Sequence, residues 1–182
     1  MLNKLILFLL ILTLTSLEAR RNDMFAKEKA ENLRYNKTIR AFMHKNKHIT
    51  DLVYNAYAYV AFPSIVKGGV LFGYAHGEGR AYLRGGVWTG NVTISQYSVG
   101  LQAGGQVYSE IIFFKTLEAF EAFKKGGLEE STQVSLTPFI SGLSADVNFD
   151  KDVEVYTSVK GGLMLDASTG TQSFEYKKRK RN

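Results

Sequence analysis

The sequence predicts an α+β fold in which N-terminal amphipathic helices precede a Gly-rich, strongly curled antiparallel sheet or partial barrel interrupted by one helix. Three observations predict it. From Asn22 to Lys47 apolar residues recur at threes and fours amid charge, which is the helical period. From Tyr59 to Phe114 the pattern changes to short runs rich in Val, Ile, Tyr and Phe, punctuated by glycine. Glycine inside strands weakens them unless a sheet bends sharply or another backbone approaches closely, so a curled sheet is the expected outcome.

The elements follow in chain order. Lys4, the nearly unbroken apolar run Leu5 to Leu14 and the small residue closing Leu17-Glu18-Ala19 read as a cleavable signal peptide over residues 1–19. The apolar run is about half the roughly twenty residues that a membrane-crossing helix needs, so a periplasmic or secreted destination is expected rather than an anchor. The chain has no cysteine. That excludes a lipobox cysteine, disulfides and thiolate metal sites. Residues 20–55 form the N-terminal helical segment: one helix presents Phe25, Ala26, Ala30, Leu33, Ile39, Phe42 and Met43. A second, from Asp51 to Tyr57, has Thr50 as its N-cap and presents Leu52, Val53 and Ala56.

After the glycine-punctuated strands, Thr116 to Lys125 returns to a helical pattern. Thr116 caps it, Leu117, Phe120 and Phe123 form one face, and Gly126 supplies the left-handed residue that ends it. Strand-like runs resume at Gln133 to Ile140, Val153 to Val159, Gly161 to Leu165 and Thr171 to Tyr176. A basic tail over residues 177–182 closes the chain. Its Lys177, Lys178, Arg179, Lys180 and Arg181 are five cations in succession.

Charge is unevenly spread. The net +6 arises from nine Lys/Arg against three Asp/Glu over Arg20 to His48, eight against thirteen over Ile49 to Tyr176, and the five basic residues of the tail. An acidic body with basic ends directs any attraction to anionic surfaces toward the ends. There is also an internal echo, in which Ser64-Ile65-Val66-Lys67-Gly68-Gly69 is similar to Thr157-Ser158-Val159-Lys160-Gly161-Gly162.

Ala61-Phe62-Pro63-Ser64, Lys67-Gly68-Gly69, Gly77-Glu78-Gly79, Gly86-Val87-Trp88, Gly100 to Gln106 and Lys160-Gly161-Gly162 resemble, in order and spacing, the SYLF domain family. The resemblance covers roughly residues 56–176. It implies a compact α+β domain that binds lipid; eukaryotic members are associated with phosphoinositide membranes and some with actin. Trp88-Thr89-Gly90-Asn91 departs from the usual Trp-Ser motif, and Glu110 stands where Asp is common. For a chain bearing an export signal the implication reduces to an anionic phospholipid or a membrane surface.

Enzymatic signatures are scarce. There is no nucleophile elbow, P-loop, dinucleotide fingerprint or H-E-x-x-H motif, and neither a cofactor nor a nucleic-acid partner is expected. His44 and His48 are four apart and would share a helix face, which metal binding needs, but no third ligand is evident nearby. Asp146, Asn148, Asp150, Asp152 and Glu154 alternate like a calcium loop, but Lys151 replaces the turn glycine and Thr157 the closing Glu. A hydrophilic turn accounts for them as well. A polar cluster of His76, Glu78 and Glu110 in one cleft would reopen a hydrolase reading.

The candidate anion-binding residues are Lys67, Gly68, Gly69, Arg80, Arg84, Lys160, Gly161 and Gly162, if the two Lys-Gly-Gly segments converge, together with the tail cations Lys177 to Arg181. Ordinary strand-end charges and a solubilising tail are the plainer alternatives. The function expected is therefore a non-enzymatic envelope protein that binds anionic lipid. The alternative is a protein-interaction module of the envelope with no small ligand.

Overall fold

Three helices and four strands follow one another in a computed structural model that describes residues 2–126, 143–150 and 152–180. They are α1 (Leu2–Lys45), α2 (Lys47–Asn55), β1 (Ala58–Leu83), β2 (Val87–Phe114), α3 (Leu117–Lys124), β3 (Leu143–Asp150) and β4 (Val153–Lys178). The chain divides into two compact units, residues 1–36 and 37–182. The first unit is helical, and its Met24, Phe25 and Leu33 are exposed. In the second unit, Thr38, Ile39 and Phe42 at the end of α1 are buried. Among the described residues, no helix is long and apolar enough to cross a membrane.

Asn46 separates the first two helices. Its backbone is extended and its side chain accepts a hydrogen bond from the His48 amide at 2.9 Å, satisfying a donor the helix start leaves open. The N-cap of α2 is thus Asn46 rather than Thr50, whose hydroxyl instead donates to the Met43 carbonyl at 3.2 Å. Ile49 and Leu52 are the buried face of α2.

The sheet is four-stranded and antiparallel, with order β1-β2-β4-β3. The strongly curled sheet or partial barrel expected from the glycines does not form. The ladder is open, with β1 and β3 at its edges, and β3 is too short to close it, pairing with β4 at Leu143 to Asp146 and at Asp150 among the described residues. The short runs also merge. Val153 to Val159, Gly161 to Leu165 and Thr171 to Tyr176 are parts of one strand, and the interior glycines stay in it because β2 pairs along its whole length with a single irregularity at Val107/Tyr108. Gln133 to Ile140 lies outside the described residues.

Glycine serves two other purposes here. Gly85 and Gly86 adopt φ of 83° and 79° in the tight turn between β1 and β2, a conformation that side chains resist. Gly79 admits a close neighbour: a Cβ there would stand 2.6 Å from the Phe62 ring and 2.9 Å from the Ala61 carbonyl oxygen.

The core lies on one face of the sheet. Val60, Phe62, Ile65, Val92, Ile94, Ile112, Phe114 and Phe174 are buried together, and α3 adds Phe120 and Phe123. Phe123 sits 4.8 Å from Phe114 and 5.3 Å from Phe174, ring centre to ring centre. Burial of each such ring contributes about 1.5–3 kcal/mol. The α3 boundaries are those expected: the Thr116 hydroxyl accepts from the Ala119 amide at 3.2 Å and Gly126 is left-handed at φ 80°. Leu117, assigned to the same face, is exposed.

Candidate functional site

The two Lys-Gly-Gly segments come together across β2. Lys67 of β1 pairs with Gln106 of β2, which pairs with Gly162 of β4, and Gly161 pairs with the adjoining Val107. A groove of about 310 Å³ results, with Lys67 and Lys160 beside Val66, Val107, Gly105 and Gly161. Lys67 is only 2% exposed, whereas Lys160 is exposed and its ammonium donates to the Pro63 carbonyl. Gly68 and Gly69 face Gly105 and Gly104 in the ladder. They lie in a regular ladder rather than a loop of amides, and the glycines that line the groove are Gly105 and Gly161.

The other candidate cations are elsewhere. Phe72, near the groove, and Leu83, at the turn, are eleven residues apart on β1, roughly 35 Å of strand. At the turn, Trp88 has the Arg80 guanidinium 3.9 Å and the Arg179 guanidinium 4.1 Å from its ring centre. A second cleft of about 690 Å³ lies there, lined by Tyr57, Trp88, Phe120, Lys124, Tyr176 and Lys178 among others. Arg84 is committed to structure. It donates to the Asn55 carbonyl at 2.6 Å and the Ala56 carbonyl at 3.4 Å, covering the open carbonyls at the end of α2. Lys177 pairs with Glu175 at 3.1 Å, and Lys177 and Lys178 belong to β4 instead of a free tail. Lys180 is exposed, and Arg181 lies outside the described residues.

A third feature was not foreseen. Around the irregularity between Val70 and Phe72, one face of β1 and β2 exposes Val70, Phe72, Tyr74, Tyr97, Val99 and Leu101, and the unpaired Leu71 is exposed beside them. Phe72 is opposite Val99 and Tyr74 opposite Tyr97, whose rings are 5.1 Å apart. The opposite face of the same stretch buries polar groups: Gln96, Ser98, Gln102 and Gln106. Gln102 donates to the carbonyls of Leu71 and Ser98, each at 3.2 Å, and accepts from the Ser98 hydroxyl at 3.0 Å. The Gln96 carbonyl oxygen accepts from Tyr108 at 3.3 Å and Gln172 at 3.4 Å. No Asp, Glu, Lys or Arg occurs between Lys67 and Glu78 or between Arg84 and Glu110. That absence was the available signal.

The candidate catalytic and metal groups do not assemble. His76 and Glu78 are exposed while Glu110 is buried, and the break at Asn46 puts His44 and His48 on different helices. Among the described residues no group of three His, Asp or Glu is placed to hold a metal ion. Glu154 is occupied otherwise. It accepts from Tyr156 at 2.7 Å and pairs with Lys115 at 2.8 Å and His48 at 3.0 Å. Burial alone would raise its pKa, but the hydrogen bonds from Lys115, Tyr156 and His48 together hold it below the usual value. Burial raises the Tyr156 phenol, as does its bond to Glu154. On Tyr59, burial beside Tyr82 pushes the phenol to about 12.

Residues 95–179 match the Ysc84 family, described as Las17-binding protein actin regulator. The matched region is just under half of the chain and runs from the middle of β2 through α3 and β3 to the end of β4. It holds Gly100 to Gln106 and Lys160-Gly161-Gly162, whereas Lys67-Gly68-Gly69 and Gly86-Val87-Trp88 precede it. No curated protein and no solved structure matches the chain.

Proposed function

We propose that this chain is a non-enzymatic module that binds an anionic phospholipid or membrane surface outside the cytoplasm. The observation that carries the reading is the groove at Lys67 and Lys160, where an exposed lysine and a buried one from separate strands stand beside glycines and apolar walls. A phosphate headgroup needs positive charge beside room for its oxygens, and an adjoining acyl chain needs apolar surface. The groove offers both. The match of residues 95–179 to the Ysc84 family falls within the region that resembles the SYLF domain, and that resemblance, which implies lipid binding, supports the same reading.

Lys160 is the better test residue because it is exposed and its replacement leaves the core intact. Flotation of the full chain with vesicles of phosphatidylcholine and phosphatidylglycerol is expected to show binding at low salt that weakens as salt rises. Lys160→Glu should weaken it several-fold. Binding indifferent to Lys160→Glu would remove the groove from the reading.

Export rests on Lys4 and the apolar run Leu5 to Leu14. N-terminal sequencing of the protein recovered from the envelope should read from Arg20. A chain still beginning at Met1 would mean that the leader is retained.

A further inference from the structure

The geometry points to a second mode of membrane contact: the uncharged stretch halfway along β1 and β2, centred on Leu71 and Phe72, inserts its apolar side chains into one leaflet of a bilayer. The inference rests on the membrane reading above and assigns it a surface that is neither the lysine groove nor the basic tail. Phe72 is 72% and Leu101 74% exposed, and Val70 and Val99 stand beside them. Contiguous exposed apolar surface of this kind marks a site of interaction.

Three observations select a bilayer as the occupant. The first is the direction of the alternation. Lipid-facing strands carry apolar residues outward and polar ones inward, the reverse of a water-soluble sheet. Around the irregularity β1 and β2 have that reversed order, with Phe72, Val99 and Leu101 outward and Gln96, Ser98 and Gln102 buried.

The second is the grading of chemistry along the strands. The apolar residues are followed by the facing tyrosines Tyr74 and Tyr97, and the flanking charges begin only with Lys67, Lys160 and Glu78. Tyrosines behind apolar residues suit the headgroup level of a membrane, whereas a protein-binding patch normally has a polar, charged rim. Asp166, which pairs with Gln102, is the one carboxylate of β4 in this stretch. From Val70 to Tyr74 is about 13 Å of strand. The bilayer's hydrocarbon is roughly 30 Å thick, so a band of this length suits contact with one leaflet and not a crossing.

The third is Leu71. It is the one described non-glycine residue with positive φ, at 66°, where a Cβ is unfavourable, and its side chain is 53% exposed to water. Buried Gln102 holds its carbonyl in place. Neither water nor the core gains from a leucine there; a hydrocarbon phase does. Backbone strain sustained at an exposed apolar residue is a mark of function.

The absence of native cysteine allows a unique label. Full-length Phe72→Cys and Leu101→Cys, each carrying an environment-sensitive NBD group, are mixed with phosphatidylcholine–phosphatidylglycerol vesicles. Val87→Cys, exposed at the turn end of β2, is the control. Labels at 72 and 101 should shift to the blue, brighten several-fold and be quenched by doxyl-labelled lipid, while the label at 87 stays aqueous. In flotation, Phe72→Ser combined with Leu101→Ser should remove the salt-resistant bound fraction without changing the melting temperature.

If the protein floats with vesicles but all three labels remain aqueous, insertion is overturned and the groove reading stands. If it does not float at low salt, both fail. Blue shifts that grow with protein concentration in the absence of vesicles would overturn insertion in favour of contact between two copies of the chain.

Discussion

Glu154 is held by donors from three parts of the chain: His48 from α2, Lys115 after β2 and Tyr156 from its own strand. Because its folded pKa is lowered, the carboxylate contributes stability above its unfolded value of about 4.3, and that contribution is lost as pH falls through the folded pKa. Glu154→Gln should therefore cost about 1 kcal/mol at neutral pH, an amount limited by solvent screening. Thermal melts across pH would show the gap between variant and wild type closing below roughly pH 4. A gap independent of pH would mean that shape, not charge, sets the contribution. The alternating acidic residues drew attention to Glu154 as a calcium ligand. What the sequence could not reveal was that distant His48 and Lys115 occupy its oxygens, a contact made only by the fold.

At the scale of elements, local chemistry was readable and long-range pairing was not. Thr116, Phe120, Phe123 and Gly126 define α3 through interactions within a few residues, and the helix lies where they place it. Asn46 and Thr50 are both good caps, and only the hydrogen bond from the His48 amide decides between them. Glycines at 100, 104, 105, 161 and 162 suggested strand ends because their side-chain packing is absent; the neighbouring strand keeps them in one ladder.

The tail illustrates the same limit. A run of five cations reads as a solvated end, but Lys177 and Lys178 pair with Asn91 and Gly90. The Arg179 amide donates to the Thr89 carbonyl at 2.8 Å, and its guanidinium covers Trp88. Truncation after Tyr176 should cost about 1–2 kcal/mol. That corresponds to roughly 2–8 °C in melting temperature. Differential scanning calorimetry checks it, and an unchanged melt would restore the picture of a free tail.

On the scale of the whole molecule, the acidic body with basic ends was visible in the sequence, and so was the family likeness. The convergence of Lys67 with Lys160 depended on register across β2, as did the outward direction of Phe72, Val99 and Leu101. Composition counts apolar residues without saying which face they occupy, so the reversed alternation became legible only once the strands were paired. On the proposed reading, two attractions of different physical kind would act. The lysine groove and basic residues give a contribution that salt screens, since the Debye length falls from about 10 Å at 0.1 M to about 3 Å at 1 M. The uncharged stretch halfway along β1 and β2 would give one that salt does not weaken.

Membrane binding itself is tested most directly by flotation of the full chain with phosphatidylglycerol-containing vesicles at low and high salt. Most of the protein should float at low salt, with a smaller fraction persisting at high salt. A chain that remains at the bottom of the gradient at low salt would contradict the account.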